Sequence, residues 1–140
     1  MKTRHLNPRW QGEPMTFLEP TCLVFDSAEE MLRAYAAPSC IPRRVFQGHV
    51  VLAFHRGLCR TGGHFVRILS LAREGGEVTV RVQYSDPKPG DFVTLVFTYP
   101  FDMVQIPRSS LRRDDGRKDL LFRVVDSGGR EVCRREVSID

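Results

Sequence analysis

Val78-Thr79-Val80-Arg81-Val82-Gln83-Tyr84 alternates apolar and polar side chains without a break. That is the period of a strand with one face in a core and the other in water. Just before it, Glu74-Gly75-Gly76-Glu77 has the length and residue types of a hairpin turn, and Phe65 to Leu71 is the extended run it returns from. His49 to His55 alternates too, with Val50, Leu52 and Phe54 on one face and His49, Val51, Ala53 and His55 on the other. Phe92 to Tyr99 is apolar or Thr on both faces, which predicts a strand covered on both sides. Pro100 breaks it, Phe101 to Ile106 makes a further short strand, and Pro107 stops that one. Leu120 to Val125 and Glu131 to Val137 flank Asp126-Ser127-Gly128-Gly129-Arg130, the pattern of a terminal hairpin.

Upstream, Cys22-Leu23-Val24-Phe25 reads as a short strand, and Ser27-Ala28-Glu29-Glu30 has the order of a capping box. Ala28, Met31, Leu32, Tyr35 and Ala36 then follow at helical spacing as one apolar stripe, ended by Pro38. Residues 1–20, with Pro8, Gly12, Pro14 and Pro20, read as a flexible arm. Residues 108–118, where Arg108, Arg112, Arg113, Arg117 and Lys118 face Asp114 and Asp115, read as a mobile basic connector. The pattern predicts a mainly β (α+β) fold over residues 21–140. It is a mostly antiparallel β-sandwich or a small, partly open barrel of about seven or eight strands, with one helix in the N-terminal half. No helices intervene between the later strands, which excludes a doubly wound α/β sheet.

With 140 residues, 41% hydrophobic and 27% charged, the chain has the composition and length of a single globular domain. No apolar run approaches the roughly 20 residues of a membrane-spanning helix. No secretory signal is visible behind Met1-Lys2-Thr3-Arg4, so the default expectation is a cytoplasmic protein. Its 21 basic and 17 acidic residues give a net charge of +4. The basic side chains are scattered rather than gathered into a patch, which disfavours a nucleic-acid partner. Cys22, Cys40, Cys59 and Cys133 form no Cys-x-x-Cys pair and read as reduced thiols, mostly buried as small hydrophobes.

No Gly-x-Ser-x-Gly elbow, His-Glu-x-x-His pair or phosphate-binding Gly-Lys-Ser/Thr loop occurs, so the expectation is a non-enzymatic domain without a cofactor. The one metal candidate is His49, His55, Cys59 and His64, close in sequence but without the tight ligand spacing of a zinc site. Asp86 and Asp91 flank a proline loop and would offer a cation only two carboxylates.

Two stiff loops and a closing motif stand out. In order they are Gly57-Leu58-Cys59-Arg60-Thr61-Gly62-Gly63-His64-Phe65, then Asp86-Pro87-Lys88-Pro89-Gly90, then Thr98-Tyr99-Pro100-Phe101-Asp102-Met103-Val104-Gln105-Ile106-Pro107. This ordered set resembles the C-terminal domain of the PrcB family of protease-complex proteins over roughly residues 50–108. His64 stands where that family usually has an aromatic after the glycines. The resemblance implies a non-catalytic accessory protein that associates with a subtilisin-like serine protease, often anchored by lipid, and it carries over no catalytic residue.

The residues themselves allow two readings of the loops. In one, they are only turns, with Tyr99, Pro100 and Pro107 as a structural corner. In the other, Arg60, Thr61, Gly62, Gly63, His64, Pro87, Lys88, Pro89 and Gly90 form a preset surface that contacts a protein, a protease or an envelope assembly. Chagasin-type protease inhibitors offer a looser analogy by loop style. Two rivals complete the field. One is a metal-dependent hydrolase on the His/Cys set. The other is a single-stranded nucleic-acid-binding barrel, for which Phe65, Phe92 or Phe97 would be exposed on a basic face.

Overall fold

The computed structural model describes residues 1–6, 16–35 and 41–140. Pro8, Gly12, Pro14, Ala36, Pro38 and Cys40 lie outside the described residues. Among the described residues, eight strands form two open four-stranded sheets, β1(Arg4–Leu6)-β6(Phe101–Pro107)-β3(His49–His55)-β2(Thr21–Phe25) and β4(Phe65–Glu74)-β5(Glu77–Ser85)-β7(Asp119–Val125)-β8(Glu131–Ser138). The sandwich expected from the turn spacing is therefore the fold, and the barrel alternative is not.

Five of the six pairings between these strands are antiparallel, and β5 pairs with β7 in parallel. A parallel neighbour needs a crossover. Here the chain leaves the second sheet after β5, builds β6 in the first, turns through a 3-10 segment at Arg108–Leu111, and returns beside β5.

β3 explains the third layer. Its Val50, Leu52 and Phe54 enter the core between the sheets with Ile68, Val80, Val104, Phe122 and Val124. Its Val51 and Ala53 enter a second core with Phe25, Met31, Tyr35, Phe46 and Met103. That second core lies beneath the helices α1(Ala28–Tyr35) and α2(Val45–Gly48). A strand buried on both faces no longer needs a polar face, and every residue from Val50 to His55 is buried.

The α1 cap forms as its sequence predicts, with one displacement. Ser27 Oγ accepts the Glu30 N–H at 3.2 Å, but the Glu30 carboxylate accepts the Asp26 N–H at 2.8 Å, one residue beyond the expected partner. Met31 and Tyr35 are buried, whereas Leu32, read as part of the stripe, is 47% exposed.

Three further expectations change. Within the arm expected over residues 1–20, Arg4–Leu6 pair with β6 as β1. Leu111, within the expected connector, sits in the main core. Arg108 grips the carbonyl oxygens of Asp26 and Phe46, both at 2.7 Å, and ion-pairs with the Asp26 carboxylate. Last, Phe92 to Tyr99 is not a strand covered on both sides. It is an irregular loop whose one ladder contact is the bridge between Thr98 and Cys59.

Candidate functional site

β3 and β5 end, and β4 and β6 begin, at one end of the sandwich, because His55 pairs with Phe101 and Phe65 with Ser85. The loops 56–64 and 86–100 therefore meet there. Arg56 joins them. Its guanidinium lies 4.3 Å from the Tyr84 ring centroid and donates to the Phe65 and Ser85 carbonyls at 3.0 and 3.1 Å. It also pairs with the Asp86 carboxylate.

Asp86 in turn takes His64 Nδ1 at 2.8 Å, and His64 Nε2 lies 3.1 Å from Thr61 Oγ1. The hydrogen bond from His64, and then that from Arg56, hold the Asp86 carboxyl below the usual carboxylate range. Hydroxyl, imidazole and carboxylate stand in the order of an activated nucleophile. A relay of that kind also needs amides aimed at the developing oxyanion. The amide that follows Thr61, Gly62 N–H, is already given to Thr94 O at 2.9 Å. The bonds as built pin two loops together.

Gly63 is the point of that junction where close approach and a left-handed backbone coincide. It has φ +86, and a Cβ there would lie 3.2 Å from Val93 Cγ1 and 3.3 Å from Pro87 Cβ. Only glycine combines this backbone with this clearance.

The residues predicted as a contact surface are thus brought together, but unequally. Arg60, Gly63, Lys88, Pro89 and Gly90 are exposed, whereas Thr61, Gly62, His64 and Pro87 are half-buried and engaged with one another or with the next loop. At the corner, Pro100 O accepts the Arg56 N–H at 2.8 Å. Tyr99 is half-buried beside it, and Pro107 lies at the opposite end of β6, paired with His49.

The metal candidates are dispersed. His49 is at that far end, His55 is bonded to Tyr35 beneath α1, Cys59 is on the bridge to Thr98, and His64 is held by Asp86. Among the described residues no group of three or more His, Cys, Asp or Glu could hold a metal ion. Of the two loop carboxylates, Asp86 is taken by Arg56 and His64, and Asp91 accepts the Lys88 N–H at 2.7 Å.

Loop 91–99 carries what the sequence reading missed. Thr94 O binds Gly62 N–H, Thr98 and Cys59 exchange two backbone bonds of 2.8 Å, and Thr98 Oγ1 donates to Thr61 O at 2.8 Å. The backbone groups of Thr94 and Thr98 and the Thr98 hydroxyl face the neighbouring loop, Val93 packs at Gly63, and four apolar side chains face outward. Phe92 is fully exposed, Leu95 85%, Phe97 59% and Val96 53%. Phe92 and Phe65, itself 66% exposed, flank a shallow cleft floored by Gly63 and Pro87.

A rigid sandwich holding a knot of Pro/Gly loops with an apolar tip is a small loop-presenting domain. Residues 50–107 match the family model described as PrcB C-terminal, which upholds the resemblance carried by the Thr-Gly-Gly turn, the Pro-Lys-Pro-Gly loop and the Tyr-Pro corner. The matched segment runs from β3 to the end of β6 and so includes the whole loop cluster. No curated protein and no solved structure matches the chain.

Proposed function

We propose that this protein is a non-enzymatic accessory module that docks onto another protein through the tip of loop 91–99. The observation that carries this reading is the outward set of Phe92, Leu95, Val96 and Phe97 on a backbone pinned at Thr94 and Thr98. Clustered exposed apolar side chains mark interaction surfaces, and a pinned loop loses little entropy on docking. Arg60 and Lys88 supply a polar rim, and Pro89 and Gly90 extend the contact. The family resemblance points to a serine protease as the partner class.

The test is affinity capture from the native host with the wild-type chain and with a Phe92→Ser/Leu95→Ser/Phe97→Ser variant, both shown to be folded. One protein retained by the wild type and lost by the variant supports the reading. Equal retention by both chains sinks it.

The exposure of Phe65, Phe92 and Phe97 favours one other reading, a stacking platform for single-stranded nucleic acid. Charge argues against it, because residues 86–99 carry Asp86 and Asp91 against Lys88 alone. Titration with an oligonucleotide at several salt concentrations separates the two. A steep fall in affinity with salt is the signature of phosphate contacts.

A further inference from the structure

Sheet edges normally expose unpaired backbone groups. β2 is one edge strand of the first sheet and β8 one edge strand of the second. At Cys22, the second residue of β2, the backbone groups that point away from β3 are both satisfied by β8 side chains. Cys133 Sγ accepts the Cys22 N–H at 3.1 Å, and Arg135 Nε donates to Cys22 O at 3.0 Å. The two sulfurs are 3.0 Å apart. Cys22 is fully buried in the main core, and Cys133 packs against that core while remaining half-exposed.

We propose that Cys133 and Cys22 form a reversible disulfide between the sheets, with a low-molecular-weight disulfide such as oxidised glutathione as the oxidant. The geometry assigns the roles. Of the two, only Cys133 is reachable from solvent, so it reacts first, and Cys22 resolves.

The Cys133 thiolate attacks one sulfur of the small disulfide and expels a small thiolate. Cys22 then gives up its proton and attacks Cys133 Sγ in the mixed disulfide. The second small thiolate leaves, and the two leaving groups end as thiols. Two protein thiols lose two electrons in all, and one small disulfide gains them. The sulfurs need to close by only about 1 Å to reach the usual bond length of about 2.05 Å. Electrostatics agree with this order. Hydrogen bonds from the Cys22 side chain and amide, with the Arg135 charge, lower the Cys133 pKa, and the same contact and burial raise that of Cys22.

The test uses the intact wild-type chain, equilibrated in glutathione buffers from reducing to oxidising. Samples are quenched with N-ethylmaleimide in denaturant and mapped by peptide mass spectrometry. The expected product is a linked peptide joining Cys22 to Cys133, reversed by excess dithiothreitol, in a chain that melts at a higher temperature than the reduced form. Cys22→Ser leaves a lasting glutathione adduct on Cys133, and Cys133→Ser leaves Cys22 unmodified. The proposal is overturned if Cys133 in the wild-type chain stays fully alkylated, retains glutathione, or pairs with Cys40 or Cys59.

Discussion

Tyr35 on α1 and His55 at the end of β3 meet through a 2.9 Å hydrogen bond between the phenol oxygen and Nε2, buried between helix and sheet. Phe17 and Phe101 close around the imidazole, and its Nδ1 has no partner among the described residues. A charged ring would carry a second N–H with nothing to receive it. Burial accordingly lowers the His55 pKa from 6.5 to about 4.

This fixes a direction for acid stability. Between about pH 4 and 6.5 the unfolded chain holds a proton on this ring that the folded chain rejects, so stability rises with pH through that window. From pH 7.5 to pH 5 the loss from this residue is about 2 kcal/mol. Urea melts at the two pH values measure the total loss, and a folded His55→Asn variant should lose about that much less of it. An unchanged difference in the variant would remove His55 as the cause.

Arg108 donates to three carbonyl oxygens, those of Asp26, Phe46 and Asp140, where the end of β2, α2 and the C-terminal segment meet. Arg108→Ala is expected to cost about 2 kcal/mol, since the partly buried carbonyls of Asp26 and Phe46 lose a charged donor. Arg108→Lys should recover less than half of this, because one ammonium cannot span a guanidinium's fork. Chemical denaturation of the three chains decides it.

Gly63 should tolerate no side chain. Gly63→Ala forces an L-residue into the left-handed region and is expected to destabilise by about 1–2 kcal/mol. The effect should be local as well, since the new methyl presses on Pro87 and Val93. Hydrogen exchange at the Gly62 amide, donated to Thr94 O, would quicken if the loops part.

Phe92→Ser, Leu95→Ser and Phe97→Ser touch no core and should leave folding stability within about 0.5 kcal/mol of wild type. A drop well beyond that would mean these side chains pack within the chain, contrary to their exposure.

The strands at Val50–Phe54 and Val78–Tyr84 and the hairpin around Asp126–Arg130 were legible because side-chain alternation and glycine turns act over a few residues. The helix start was legible for the same reason, through Ser27 and Glu30. What escaped depends on distant partners. Arg108 reads as one more charge in a basic run until Asp26 and the Phe46 carbonyl are folded against it. Asp86, His64 and Arg56 come from three separate segments. Phe92 to Tyr99 differs most instructively, since apolar residues or Thr on both faces signal a covered strand without saying where the cover comes from. Of the predicted contact residues, the Thr61–His64 turn fastens the loops and Arg60, Lys88, Pro89 and Gly90 face outward, beside phenylalanines that the prediction left out.

The parallel pairing of β5 with β7 sets the order in which the molecule can assemble. A nascent chain ending at Pro107 already holds every strand of the first sheet, yet β5 still lacks its inner neighbour. Phe122 and Val124 are also missing from the common core. Truncation there should yield a sticky, partly formed species rather than a shorter domain. The loop cluster and its apolar tip would then gain their rigid footing only after the last hairpin closes.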